Sequence, residues 1–368
     1  MGIILLIITA LFVLSFLVVI HEFGHFLAAK AVGVWPEEFG IGLPPKVWGK
    51  KYKGTLWSIN ALPLGGFVRL HGEVGTDVQK YPEKAFMNKS RPARAFVAVA
   101  GVFMNFLYAV IAFSFIFYIT GIPQGVRISE ISENSPAAEV GITVGSLVTS
   151  VDGRELYNPA LFSQIIADTK GRETSVSFVN EKGETSVKTF VMRSTPPEGE
   201  GLFGVKYSYG ATEVRQPQGF SRFTESIYYG ARQTFDFSKL ILSEFGKLLK
   251  TLFSGHVPQG LAGPLGVVGV TAEAARNGFL DLLGFSALIS INLAVINLVP
   301  FPPLDGSRVL FLVIEMIVGK KRLPVWEARI HQVGMYFLLG VMLLLTIREI
   351  PKAFTAGSLT NFVQSLVK

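Results

Sequence analysis

Hydrophobic positions along this chain gather into long unbroken runs, interrupted by one stretch of alternating polar and apolar residues. The first run extends from Gly2 to about Ala28 and carries no charge before His21. A second covers about Ala95–Thr120, a third Leu282 to about Val299, and a last, shorter one about Val333–Ile347. A helix needs ~20 apolar residues to cross a bilayer, so these runs predict about four transmembrane helices. The first run is expected to be a retained span rather than a secretory leader. No basic residue precedes it, it exceeds the usual ~7–15 apolar residues, and no small-residue cleavage pattern follows.

The residues between the second and third runs read differently. Strand-like alternation in "VRISEIS", "GSLVTSVDG", "TSVSFVN" and "TSVKTFVM" predicts a separate α+β domain over residues 122–213. From 214 to 280 the pattern turns amphipathic and helical, as in "FTESIYYGARQTFDFSKLILSEFGKLLKTLFSG", and predicts an external linker whose helix either lies on the outer membrane surface or packs as a soluble helix. "WSINALPLGGFVRLHGE", residues 57–73, has two strand-like runs around Pro63-Leu64-Gly65-Gly66 and predicts a β-hairpin.

Composition narrows the class. Of the 368 residues, 49% are hydrophobic and 17% charged, with a mean hydropathy of +0.44. A membrane core carrying one soluble domain satisfies both numbers. No cysteine is present, which excludes disulfides, thiolate catalysis, Cys-based zinc sites and iron–sulfur clusters. The net charge of +7 comes from basic residues beside the apolar runs, a topology signal rather than a nucleic-acid footprint. Residues 28–94 hold eleven Lys/Arg against five Asp/Glu, whereas 122–213 hold eight against twelve. The positive-inside rule then places the first and third loops in the cytoplasm, and the 122–213 domain with both termini outside.

Against that background "HEFGH", His21–His25, stands out at the cytoplasmic end of the first span. Ionisable groups in a span are costly and mark function. In a helix, residues i and i+4 share a face, so two imidazoles at 21 and 25 can reach one ion, with Glu22 near enough to act on a water there. A catalytic zinc takes three protein ligands and keeps one open position. The candidates for the third are His71, His256, His331 and the carboxylates. "NLVPFPPLDG", Asn297–Gly306, breaks the third span with three prolines. Irregular backbone at that depth requires burial in protein or a wet cavity, and topology puts it on the same side as His21. Asp305 is therefore the expected third ligand.

With these motifs in place the chain resembles the site-2 protease family of intramembrane zinc metalloproteases. It is most similar to the bacterial members that carry out regulated intramembrane proteolysis in envelope-stress signalling. The family pattern H-E-x-x-H matches at His21–His25, and N-x-x-P-x-x-x-L-D-G matches at Asn297, Pro300, Leu304, Asp305 and Gly306. The resemblance implies one catalytic Zn2+ held by His21, His25 and Asp305, with Glu22 as catalytic base. It also implies a cytoplasm-facing cavity in which a transmembrane helix is unwound and cut. Asn297 is expected to bind the substrate backbone or the oxyanion. Gly101-x-x-x-Asn105 resembles a family segment near the active site, and Asn105 is expected among the substrate-binding residues. So are Gly65 and Gly66, because the hairpin resembles a membrane-reentrant element able to add a substrate strand to its edge.

"ENSPAAEVGITVGSLVTSVDGREL" resembles a bacterial PDZ domain, with Ser135-Pro136-Ala137-Ala138 opening a first helix, a second over Asn158–Lys170, and the Gly125-Val126 region resembling the loop that receives a peptide carboxylate. Gly263-Pro264 reads as a structural turn before the third span. The expected fold is thus mainly α-helical and polytopic, with a membrane-associated β-hairpin and an inserted external PDZ domain. Its parts are a membrane core at 1–121, the PDZ domain at 122–213, an external helical linker at 214–280 and a second membrane core at 281–368. The expected partners are single-pass membrane proteins, including an anti-sigma factor, a peptide C-terminus at the PDZ domain, and the lipid of a bacterial inner membrane. Two other classes fit the apolar runs: an inactive scaffold presenting the PDZ domain, and a metal transporter. An intact Glu22 with a full ligand set speaks against the first. The lack of internal repeats speaks against the second.

Overall fold

The computed structural model describes residues 3–73, 80–197, 199–207, 213–255, 262–319, 323–357 and 361. The helix of the first apolar run is α1 (Ile3–Ala31), followed by β1 (Pro36–Tyr52), β2 (Thr55–Leu70) and α2 (Arg91–Thr120). The central stretch supplies β3 (Ile122–Gln124), β4 (Val126–Ile131), α3 (Pro136–Glu139), β5 (Leu147–Val151), β6 (Arg154–Glu155) and α4 (Phe162–Asp168). Then come β7 (Glu173–Val179), β8 (Thr185–Val191), β9 (Val205–Tyr207) and β10 (Glu213–Arg215). Helices α5 (Gly219–Phe253), α6 (Pro264–Asn277), α7 (Phe279–Leu298), α8 (Asp305–Val318) and α9 (Leu323–Thr355) complete it. Among the described residues four helices are long and apolar enough to cross a membrane: Ile4–Ala31, Arg91–Thr120, Phe279–Leu298 and Arg329–Thr355. Each overlaps one of the expected runs, and the last span, 27 residues, is longer than the hydropathy suggested.

The chain divides into two compact units, residues 1–112 with 237–368, and residues 113–236. In the first unit, small residues let helices approach closely, as membrane packing requires: Leu6 and Ala10 of α1 meet the fully buried Ala272 of α6. Helix α6 begins at Gly263, with Pro264 in its first turn. Its exposed N–H groups are capped from a distance by Glu349 of α9, which accepts from Gly263 at 2.6 Å and from Leu265 and Gly266 at 3.1 Å. A carboxylate there satisfies both the orphan donors and the helix dipole. So 264–277 belongs to the helical unit that holds α1 and α9, rather than to a linker.

Charge also holds this unit together. Arg94 of α2 and Glu315 of α8, 3% and 7% exposed, meet at 2.5 Å, and Arg91 adds a second bond to Glu315 at 3.2 Å. Arg308 of α8 reaches Glu73 at 2.5 Å. Removing one partner of such a buried pair costs roughly 3–5 kcal/mol, because the other charge is left unpaired. These pairs fix α8 against α2 and against the segment that follows β2.

Strands β1 and β2 correct the hairpin expected around Pro63–Gly66. The tight turn lies instead at Lys53-Gly54, where both residues have positive φ, between β1 and β2. Residues 36–41 sit between the two runs of the expected hairpin: Gly40 faces Phe67 on one side and Ser58 on the other. The segment "EEFGIG" alternates only Phe39 and Ile41 with glutamate and glycine, residue types depleted in strands, so its strand signal is weak. Its burial on both sides comes from long-range pairing.

The second unit packs its sheet in the order β8-β7-β5-β4-β9, with β6 beside β5 and β3 paired to β10. Along β7 the residues Thr174, Val176 and Phe178 are buried in alternation, the period-2 pattern that the sequence carries. They join Val126, Ile128, Val148, Leu156, Phe162 and Phe203 in one core. Helix α3 starts with Ser135 accepting from Ala138 N–H at 3.2 Å and Pro136 in the first turn, a standard N-cap arrangement. The second expected helix is shorter than 158–170. Its first residues form a 3-10 turn at Pro159–Leu161. The first half of α5 belongs to this unit, not to a linker. Tyr229 and Arg232 bond Glu155 at 2.9 Å, and the Tyr157 hydroxyl donates to Asp236.

Candidate metal centre

Helix α1 brings His21 and His25 onto one face, with ring centroids 4.8 Å apart. The proline-rich turn after α7 delivers the third group. There Leu304 caps α8 and Asp305 is its first residue, a position where the helix dipole favours a carboxylate. A Cβ on Gly306 would lie 2.3 Å from the carbonyl oxygen of Leu298, so only glycine lets the start of α8 fold back onto the end of α7. Asp305 Oδ2 then lies 2.9 Å from His21 Nε2 and 3.2 Å from His25 Nε2, and the two ring nitrogens are 3.1 Å apart. Among the described residues these three form the one group able to hold a metal ion.

The donor chemistry fits zinc. His25 Nδ1 is 2.8 Å from the carbonyl oxygen of Val97. A carbonyl can only accept, so Nδ1 carries the proton and Nε2 presents a lone pair. Three such electron-rich atoms within 3.2 Å of one another repel unless a cation lies among them. Nitrogen and oxygen ligands at 2.0–2.2 Å around a tetrahedral zinc are about 3.3–3.6 Å apart, a few tenths of an ångström more than the 2.9–3.2 Å separations here. Space for the ion comes from α2: a Cβ at Gly101 would fall 2.5 Å from His25 Nε2 and 2.6 Å from His21 Nε2.

Glu22 sits beside the pair, and its Oε2 accepts from the N–H of Val68 at 3.0 Å. Val68 lies on the β2 segment that pairs with Phe39 of β1, so the end of the sheet holds the carboxylate in place.

The remaining expected residues are distributed less tightly. His71 is buried and bonds Glu37 at 2.8 Å through Nδ1. His331 lies 2.9 Å from the Ser307 hydroxyl. Neither joins the metal group, and His256 lies outside the described residues. Asn297 is half-buried on the last turn of α7. Gly65 and Gly66 were expected to face substrate, yet a Cβ on either would lie 3.3 or 3.1 Å from Val18 or Val19 of α1. These two glycines let the sheet approach the helix, and Ser15 ties them down by accepting from Gly65 N–H at 3.1 Å and donating to Pro63 O at 2.8 Å. Asn105, also expected at substrate, is fully buried with its amide 3.3 Å from His21 Nδ1. Val68 and Val97 carried no signal as site residues, since they act through backbone atoms, which leave no side-chain signature. Gly101 was legible within the Gly101-x-x-x-Asn105 segment, and a glycine inside an apolar helix, costing ~1 kcal/mol relative to alanine, is itself a hint.

In the second unit the carboxylate-receiving loop expected at Gly125-Val126 is already occupied. Gly125 N–H donates to Leu156 O, and Val126 pairs with Val148. Strand β4 lies between β5 and β9, and β9 ends the strand order.

Comparison with known proteins agrees with the geometry. A model of peptidase family M50 matches residues 9–341. A Clostridium perfringens relative with zinc metalloprotease in its name is 32% identical over 346 residues, covering 94% of this chain and 98% of that one. The regulator of sigma-W protease RasP of Bacillus subtilis is 27% identical over 417 residues, covering 92% and 96%. The chloroplastic membrane metalloprotease ARASP of Arabidopsis thaliana is 32% identical over 356 residues, covering 92% and 77%. With four apolar helices and a buried His-His-Asp group beside a glutamate, the chain belongs to peptidase family M50, the zinc metalloproteases of the site-2 protease type.

Proposed function

We propose that this zinc metalloprotease hydrolyses peptide bonds within the transmembrane helices of single-pass membrane proteins, with His21, His25 and Asp305 as zinc ligands and Glu22 as general base. The observation that carries the reading is the convergence of the three ligand atoms within 3.2 Å at the end of a membrane-spanning helix, with Glu22 as the adjacent residue. Zinc, when bound, lowers the pKa of a water at its open position to roughly 7. Glu22 would serve as the group that accepts a proton from the attacking water and returns it to the leaving amine. The Val68 N–H aims the carboxylate for both transfers. Asn297, on the last turn of α7, is the candidate to hold the substrate backbone. An extended substrate adding to the β2 edge beside Glu22 would present its scissile bond to the base.

The charge asymmetry of the loops supports a site facing the cytoplasm, with residues 122–213 and both termini outside a bacterial inner membrane. The regulator of sigma-W relative supports an anti-sigma factor among the substrates. The strand order and the Ser135-capped helix support a PDZ domain over 122–213. Its ligand edge is then β9 rather than Gly125-Val126: β9 neighbours α4, with Ser163 Oγ 2.8 Å from the Tyr207 hydroxyl. The direct test is cleavage of single-pass substrates by the purified protein in detergent, beside Glu22→Gln and beside chelator-treated enzyme. Cleavage in the wild type and its loss in both controls is the expected result. Cleavage that survives both would overturn the assignment.

A further inference from the structure

We infer that Gly101 and Asn105, one helical turn apart on α2, belong to the metal centre, and that Asn105 is a positioning residue for His21 rather than a contact for substrate. The inference rests on the zinc-protease reading of the same site. Residues i and i+4 share a helix face, and here that face looks at the two histidines. Gly101 leaves the room in which both Nε2 atoms converge. Asn105 comes one turn later, fully buried, with its amide nitrogen Nδ2 3.3 Å from His21 Nδ1.

The role follows from where the ring protons must be. His25 has its Nδ1–H taken by the Val97 carbonyl, which leaves Nε2 free for an ion. His21 needs the same tautomer to ligate through Nε2, so its Nδ1 must also carry the proton. A buried N–H without an acceptor costs roughly 1–3 kcal/mol, and Asn105 is the group that faces that nitrogen. Asn105 therefore presents Oδ1 to His21, an orientation that a half-turn of the planar amide supplies. Among the described residues the other half of the amide has no hydrogen-bond partner: the Oδ1 position facing away from His21 is buried and unbonded. Thus the contact with His21 is what the side chain is held for. The Ser290 hydroxyl fixes the backbone at the same point, donating to Asn105 O at 3.0 Å. An outer partner that orients a ligating histidine typically contributes 10–100-fold in metal affinity.

The test is zinc affinity by chelator competition, without substrate, on the full chain in detergent. Asn105→Leu, which fills the space without an acceptor, is expected to weaken zinc binding 10–100-fold. Asn105→Asp, which keeps an acceptor at the ring, is expected to hold zinc at least as well as the wild type. Should the leucine variant not be recovered folded, Asn105→Ser takes its place, since its hydroxyl is too short to reach the ring. Unchanged zinc affinity in Asn105→Leu or Asn105→Ser with a raised KM would overturn the inference and return Asn105 to the substrate. So would an aspartate variant as weak as the leucine one. A wild-type protein that binds no zinc would instead overturn the underlying reading.

Discussion

Gly101→Ala sets two physical effects against each other. By helix propensity alone, replacing a buried glycine in mid-helix with alanine should stabilise α2 by ~0.8–1.0 kcal/mol. The geometry of the site gives the opposite sign for metal binding. The added methyl would lie 2.5 Å from His25 Nε2 and 2.6 Å from His21 Nε2, where ordinary contact begins at 3.4 Å. The rings must therefore retreat by about 0.9 Å, the difference of those distances, while zinc sites tolerate only about ±0.2 Å in ligand position. Ring rotation can relieve the clash in the metal-free protein, so the chain still folds. The expected outcome is a metal-free unfolding temperature equal to or above that of the wild type, together with at least a 100-fold loss of zinc affinity, or about 2.8 kcal/mol at 1.4 kcal/mol per tenfold. Zinc content by mass spectrometry after graded chelator, with thermal unfolding of both metal-free proteins, reads the two effects separately. A Gly101→Ala protein that binds zinc within threefold of the wild type would refute the placement of the ion beside Gly101.

Glu22→Gln should abolish peptide cleavage while zinc stoichiometry stays at the wild-type level, because its carboxylate bonds Val68 N–H rather than a ligand; loss of zinc together with activity would contradict that assignment. Glu315→Ala leaves the buried Arg94 guanidinium unpaired and should lower stability by roughly 3–5 kcal/mol, read from denaturation in detergent; a shift under 1 kcal/mol would show the pair to be solvated. Burial raises the Glu327 carboxyl above its ordinary value, against the pull of Arg308. The folded protein then holds that proton more tightly than the unfolded chain, so this group's contribution to stability falls as pH rises from about 4.5 through the raised value. Glu327→Gln should flatten the pH–stability curve over that window, and an unchanged slope would discount the effect.

How far the sequence carried the reading differs from element to element. The four spans were legible because bilayer thickness imposes a length that hydropathy reports directly. His21 and His25 were legible because helix periodicity puts i and i+4 together whatever surrounds them, and Asp305 because a proline-broken turn at that depth needs a reason. The β1–β2 pairing was not legible. Which segment lies between 57–62 and 66–70 is a matter of register between distant residues, and the glutamates and glycines of "EEFGIG" give it only a weak strand signal.

The sequence by itself determined the four apolar spans, the candidate ligand pair, the glutamate beside it and the strand content of 122–213, since each depends on periodicity within a few turns or on composition. Tertiary structure decided what surrounds those groups. It gave Gly65 and Gly66 to α1 and Asn105 to His21, set Val97 and Val68 as partners of His25 and Glu22, and assigned half of α5 to the sheet unit. The physical reason is the same in each case. A side chain's direction along its own element follows from local geometry, whereas the atom it meets lies on another element, whose approach is set by packing across the whole unit.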